Sequence, residues 1–110
     1  MIELRKDQGV QGDVFFEVVD HLPVGAVPVS AQGGRYVIAD GEVTGHAHAI
    51  AEEYGTMYEK DGVLYLSVGT KPAPLVHEEH EHWQLPAERV IRFRRQRGPQ
   101  LLEGIKRVAD

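Results

Sequence analysis

Two Asp-Gly pairs, Asp40-Gly41 and Asp61-Gly62, each stand between runs rich in β-branched and aromatic residues. A type I′ turn needs positive φ at both central residues, which Asp-Gly tolerates, so each pair marks a tight hairpin. The flanking runs predict strands over 13–19 ("DVFFEVV", the first of the chain), 35–40 ("RYVIAD") and 42–50 ("EVTGHAHAI"). Residues 56–68 ("TMYEKDGVLYLSV") predict two more strands about the second pair. Between them, "HLPVGAVPV" (21–29) reads as an irregular connection, because Pro23 and Pro28 cannot donate to a central ladder. "APLVHEE" and "ERVIRFRRQ" predict a last hairpin, joined through "HWQLPA". The tail "QLLEGIKRVAD" sets Leu101, Leu102, Ile105 and Val108 on one side of a short helix, with Gly104 against it. The expectation is an all-β fold: a small barrel or jelly-roll-like sandwich of six to eight short antiparallel strands (about the number such turn spacing allows), with a short C-terminal helix.

A chain of 110 residues fits one domain, taken here as residues 1–110. It has no cysteine, which removes thiolate ligands, a cysteine nucleophile and a disulfide framework, and is in keeping with a cytoplasmic protein. "MIELRKDQG" contains no apolar h-region, and no apolar run approaches the ~20 residues that span a bilayer, so neither a signal peptide nor a membrane partner is expected. The formal net charge of −5 argues against a nucleic-acid coat.

Charge and imidazole are unevenly placed. "GEVTGHAHAI" carries His46 and His48, and "LVHEEHEHW" carries His77, His80 and His82. On a strand, residues two apart share a face, so Thr44, His46, His48 and Ile50 project one way and Val43, Gly45, Ala47 and Ala49 the other. His-x-His on a strand is a way to offer two imidazoles to one ion. In the second run a regular strand pairs His77 with Glu79, whereas a turn brings His77 and His80 together. The zinc-peptidase helix motif is excluded, since it needs histidine where Glu81 stands. The candidate metal ligands are therefore His46, His48, His77 and His80, with Glu79 or Glu52 as a carboxylate. Such ligands suit zinc, nickel, iron, manganese or copper. The plainer reading is that these histidines and glutamates are only a solvated face of a sheet.

Two further functions use the same residues. Paired histidines near arginines can act as general base and general acid on a phosphodiester, as in metal-independent ribonucleases. Alternatively, the chain is a self-associating structural module, a homo-oligomer whose edge strands and arginine-rich hairpin pair between subunits. In "ERVIRFRRQR", Ile91 and Phe93 face inward, and Val90, Arg92 and Arg94 outward. Those arginines either contact an anion or pair across the hairpin with Glu78, Glu79 and Glu81. Trp83 reads as a core or interface anchor, the four tyrosines as sheet packing, and His21 as a capping or surface residue. Ser30 and Ser67 lie in no nucleophile elbow, and the glycines form no phosphate loop. No small-molecule substrate is named by any of this.

The order Gly41, His46, His48, Glu52 resembles the first cupin motif, which implies a jelly-roll and a metal held by that His-x-His and glutamate. "QGDVFF", "GEVTGHAHAI", "LVHEEHEHWQLP" and "RRQR", in this order, resemble a group of small, mostly uncharacterised bacterial and phage-type proteins. That resemblance implies that His46, His48, His77 and His80 belong to one shared pattern.

Overall fold

The computed structural model describes residues 1–40 and 47–95. It is an all-β sandwich. One layer is a six-stranded sheet in the order β2-β3-β11-β8-β7-β4: β2 Gln8–Gln11, β3 Val14–Val19, β11 Val90–Arg95, β8 Val63–Val68, β7 Gly55–Lys60 and β4 Val27–Pro28. The other layer contains the three-stranded set β1 (Ile2–Glu3), β10 (Trp83–Leu85) and β9 (Ala73–Leu75), and the hairpin β5 (Arg35–Asp40) with β6 (Ala47–Ala51). A bridge joins the two sets, Ala49 and Val76 exchanging both backbone hydrogen bonds at 3.0 and 2.9 Å. Among the described residues the strand pairings are antiparallel except β1 with β10, which is parallel. Among the described residues the sheets do not close into a barrel. Nor is any helix there long and apolar enough to cross a membrane.

Alternation explains what fills the space between the layers. Val14 and Phe16 of β3, Ile91 and Phe93 of β11, Leu66 and Val68 of β8 and Met57 of β7 point inward, at every second position. Ala73 and Leu75, Leu85 and Ile50 come to meet them from the other layer. Trp83 closes one end, its ring edge-on to Phe16 at 5.2 Å, the anchor role expected of it. His21 is exposed on the surface.

The turns divide by how local their signals are. Asp61 and Gly62 have φ of 53° and 79° between paired Lys60 and Val63, as the type I′ reading requires. β5 begins and ends where expected, and pairs antiparallel with β6. Asp40, read as half of the turn, is itself the last residue of β5 and is paired with Ala47. Residues 41–46, and with them His46, lie outside the described residues, as does the expected helix in the tail. β3 is not the first strand: β1 and β2 precede it. Pro28 sits in a two-residue edge strand, where a missing N–H costs no ladder bond.

The expected last hairpin does not form. β9 pairs instead with β10, which lies inside the stretch read as a connection, and β11 crosses to the other sheet between β3 and β8. The physical reason is burial: Ile91 and Phe93 complete the core beside Phe16 and Leu66. Arg92 accordingly pairs with Glu17, directly opposite on β3, through Nε at 2.8 Å and through Nη2. Arg94 Nη2 is 3.7 Å from the same carboxylate, and its guanidinium lies over the Phe15 ring at 5.7 Å.

Candidate metal centre

The Ala49–Val76 bridge sets the register that brings the two histidine runs together. One step outward from it, His48 and His77 face each other, with ring centroids 4.3 Å apart. One step further, the Ala47 N–H donates to Glu78 Oε1 at 3.1 Å. Beyond Val76 the chain leaves the strand and bends, which turns His80 back to 4.5 Å from His77 and 6.0 Å from His48. Of the two readings of "HEEH", the turn is the one that forms. The structure thus gathers three of the four histidines, and the fourth, His46, is outside the described residues.

Burial differs among the three. His48 is 4% exposed and His77 7%, whereas His80 is exposed beside an open depression of about 340 Å³ lined by Met1, His80, Glu81 and His82. Both faces of β6 are covered: Ala47, His48, Ala49 and Ile50 are all buried. Burial, then the neighbouring His77, push the His48 pKa down to about 4, against the opposing pull of Asp13. At neutral pH its imidazole is uncharged, the form that donates a lone pair to a metal or a proton acceptor.

The third arm of the cluster is the turn between β2 and β3, residues Gln11, Gly12 and Asp13. Gln11 and Val14 are paired, so Gly12-Asp13 is a two-residue turn, with positive φ at its first position only, as in type II′. Gln11 is buried at 1% exposure. Its Nε2 donates to the carbonyls of Leu75 (3.0 Å) and Glu81 (2.9 Å), which bracket the histidine loop, and its Oε1 lies 2.8 Å from His48 Nδ1. Asp13 lies between two bases, with Oδ1 3.5 Å from His48 Nε2 and Oδ2 3.3 Å from Arg95 Nη2. Gly12 is the floor: a Cβ there would lie 2.8 Å from His80 Nε2 and 3.1 Å from His48 Cε1.

The carboxylates expected from the sequence are placed differently. Glu52 is exposed in a one-turn 3₁₀ helix, Glu52–Tyr54. Glu79 donates its backbone N–H to His77 Nδ1 at 3.0 Å. Gln11, Gly12 and Asp13 were not anticipated as site residues. The signal for them is a glycine between two polar residues immediately before "VFF", a turn that presents both polar neighbours at a strand end. Among the described residues, no three histidine or carboxylate side chains already stand around one ion position.

A model for a domain of unknown function, DUF8820, matches residues 10–96. The chain belongs to that family. The matched span begins at the Gln11-Gly12-Asp13 arm and ends just past Arg95, so it takes in every side chain of the cluster. No curated protein matches the chain. No solved structure matches it either.

Proposed function

We propose that this DUF8820 chain binds a divalent transition metal where its two histidine runs meet, with ligands drawn from the imidazole set His46, His48, His77 and His80 and with Asp13 as the carboxylate. The observation that carries the reading is the pair His48 Nε2 and Asp13 Oδ1, 3.5 Å apart. That is longer than a good charged hydrogen bond, ~2.8 Å. It matches the ~3.4 Å that separates two ligands held about 2.1 Å from a tetrahedral zinc-sized ion. The uncharged His48 imidazole offers that position a lone pair, and Asp13, which also pairs with Arg95, offers it a carboxylate oxygen. The bond from His48 Nδ1 to Gln11 is the kind of outer support that ligating histidines commonly have.

Imidazole and carboxylate donors without sulfur suit zinc, nickel, iron, manganese or copper. His80, exposed on its loop, is free to swing toward the ion without disturbing the core. Three protein ligands and one open position would let the metal activate water or bind an oxygenated substrate; a filled shell would make it structural. The His-x-His order and its cupin likeness are compatible with either. Calorimetric titration of chelator-treated protein with zinc tests the reading, with Asp13→Asn and His48→Ala beside the parent. One site per chain in the parent, weakened in both variants, supports it. Unchanged binding in both variants would place any metal elsewhere, and no binding in the parent would return the cluster to assembly or to metal-free acid–base chemistry.

A further inference from the structure

We infer that the fold sets opposite tautomers on the two buried histidines, making His48 Nε2 the electron-pair donor of the site and His77 Nε2–H its hydrogen-bond donor. The division of roles rests on the metal reading above; the tautomers themselves do not.

Gln11 fixes the tautomer of His48. Both hydrogens of its amide are committed to backbone carbonyls, those of Leu75 and Glu81. A carbonyl cannot donate, so the amide cannot be turned over, and the atom facing His48 is Oε1. An oxygen there accepts only, so His48 Nδ1 must carry the proton, at 2.8 Å. In a neutral ring the lone pair is then on Nε2, the nitrogen beside Asp13.

His77 is fixed in the opposite sense. The Glu79 backbone N–H is always a donor, and it points at His77 Nδ1 from 3.0 Å. That nitrogen must offer its lone pair, so in the neutral ring the proton is on Nε2. The two rings are 4.3 Å apart, one presenting a lone pair and the other an N–H.

The consequence for the site is asymmetric. A metal ion reaches His48 Nε2 without displacing any proton from that ring. Ligation by His77 would require losing either its proton or its bond to Glu79. His77 is therefore suited to donate its Nε2–H to an oxygen atom held by the ion: water, hydroxide or the oxygen of an anionic substrate. Gln11 is the positioning residue of the arrangement, since one side chain both fixes the His48 tautomer and ties down both ends of the histidine loop.

The experiment is a long-range 1H–15N correlation spectrum of the metal-free protein at pH 7, with zinc titration of variants beside it. The expected spectrum has one imidazole protonated on Nδ1, lost on His48→Gln, and one protonated on Nε2, lost on His77→Gln. In Gln11→Met the Nδ1-protonated signal gives way to exchange between tautomers, and zinc affinity falls about 10–100-fold, as for loss of an outer-shell partner. His77→Gln retains zinc stoichiometry, whereas His48→Gln loses it. The same tautomer on both rings would overturn the inference, as would loss of zinc stoichiometry in His77→Gln. Opposite tautomers in a protein that takes up no zinc would support this inference and overturn the metal reading alone. The parent spectrum requires no variant to fold.

Discussion

Replacing Gly12 with alanine puts a methyl group where two imidazoles already sit. The Cβ would lie 2.8 Å from His80 Nε2 and 3.1 Å from His48 Cε1, well inside the ~3.5 Å of an ordinary contact. His80 is exposed and can swing aside, but His48 is buried and held by Gln11. The residue also has φ of +59°, which costs an L-residue about 1–2 kcal/mol. Gly33 supplies the control, since it has φ of +61° and nothing within 4 Å of an added Cβ. Gly33→Ala therefore bears backbone strain alone, about 1–2 kcal/mol, while Gly12→Ala adds an overpacking cost of about 1–3 kcal/mol. In a domain of this size each kcal/mol is about 4–8 °C in melting temperature. Thermal melts in chelator give the stability difference, and zinc calorimetry gives the site effect, which is expected in Gly12→Ala only. Equal melting temperatures and unchanged zinc affinity in the two variants would refute the placement of the imidazoles over Gly12.

Two other consequences concern charge. Glu17→Gln is expected to destabilise by about 1 kcal/mol, because it weakens the half-buried bond to Arg92 while leaving the shape intact; Glu81→Gln should change urea unfolding little, and the reverse ranking would contradict the observed strand order. Acid should destabilise the metal-free protein through His48. Its folded pKa is lowered to about 4 from 6.5, so between those values the unfolded chain binds more protons and stability rises with pH. The contribution is present above pH ~6.5 and is lost as pH falls to ~4, about 3 kcal/mol in all. Urea midpoints across that window, compared with His48→Gln, read this term separately from the carboxylates; parallel pH profiles for the two proteins would show that burial of His48 does not cost its charged form.

What the sequence revealed of the fold follows the reach of each signal. Asp61-Gly62 and the strands beside it are legible because a hairpin's determinants lie within a dozen residues. The turn at Lys6 and Asp7 was not, since both adopt positive φ without a glycine to announce it. The destination of β11 is set by contacts further off. Adjacency of acidic and basic runs argued for a hairpin, but burial of Ile91 and Phe93 between β3 and β8 outweighs surface pairing worth ~0.2–1 kcal/mol each. At the site, imidazoles declare themselves by residue type and spacing. Gln11 does not: its partners stand 64, 70 and 37 positions away, and an amide is chemically unremarkable until those three bonds exist together. Asp13 likewise reads as a turn residue until His48 and Arg95 are beside it.

If the two histidine runs make one metal site, the isolated protein carries the ion, and elemental analysis measures it. Tag-free protein, purified without a nickel column or chelator, would be measured by plasma mass spectrometry alongside a His46→Ala, His48→Ala double variant. About one divalent transition metal per chain is expected, lost in the variant, as when a structural or catalytic ion depends on those ligands. Folded protein that carries no metal, and takes none up when zinc, nickel, iron, manganese or copper is offered, would contradict it.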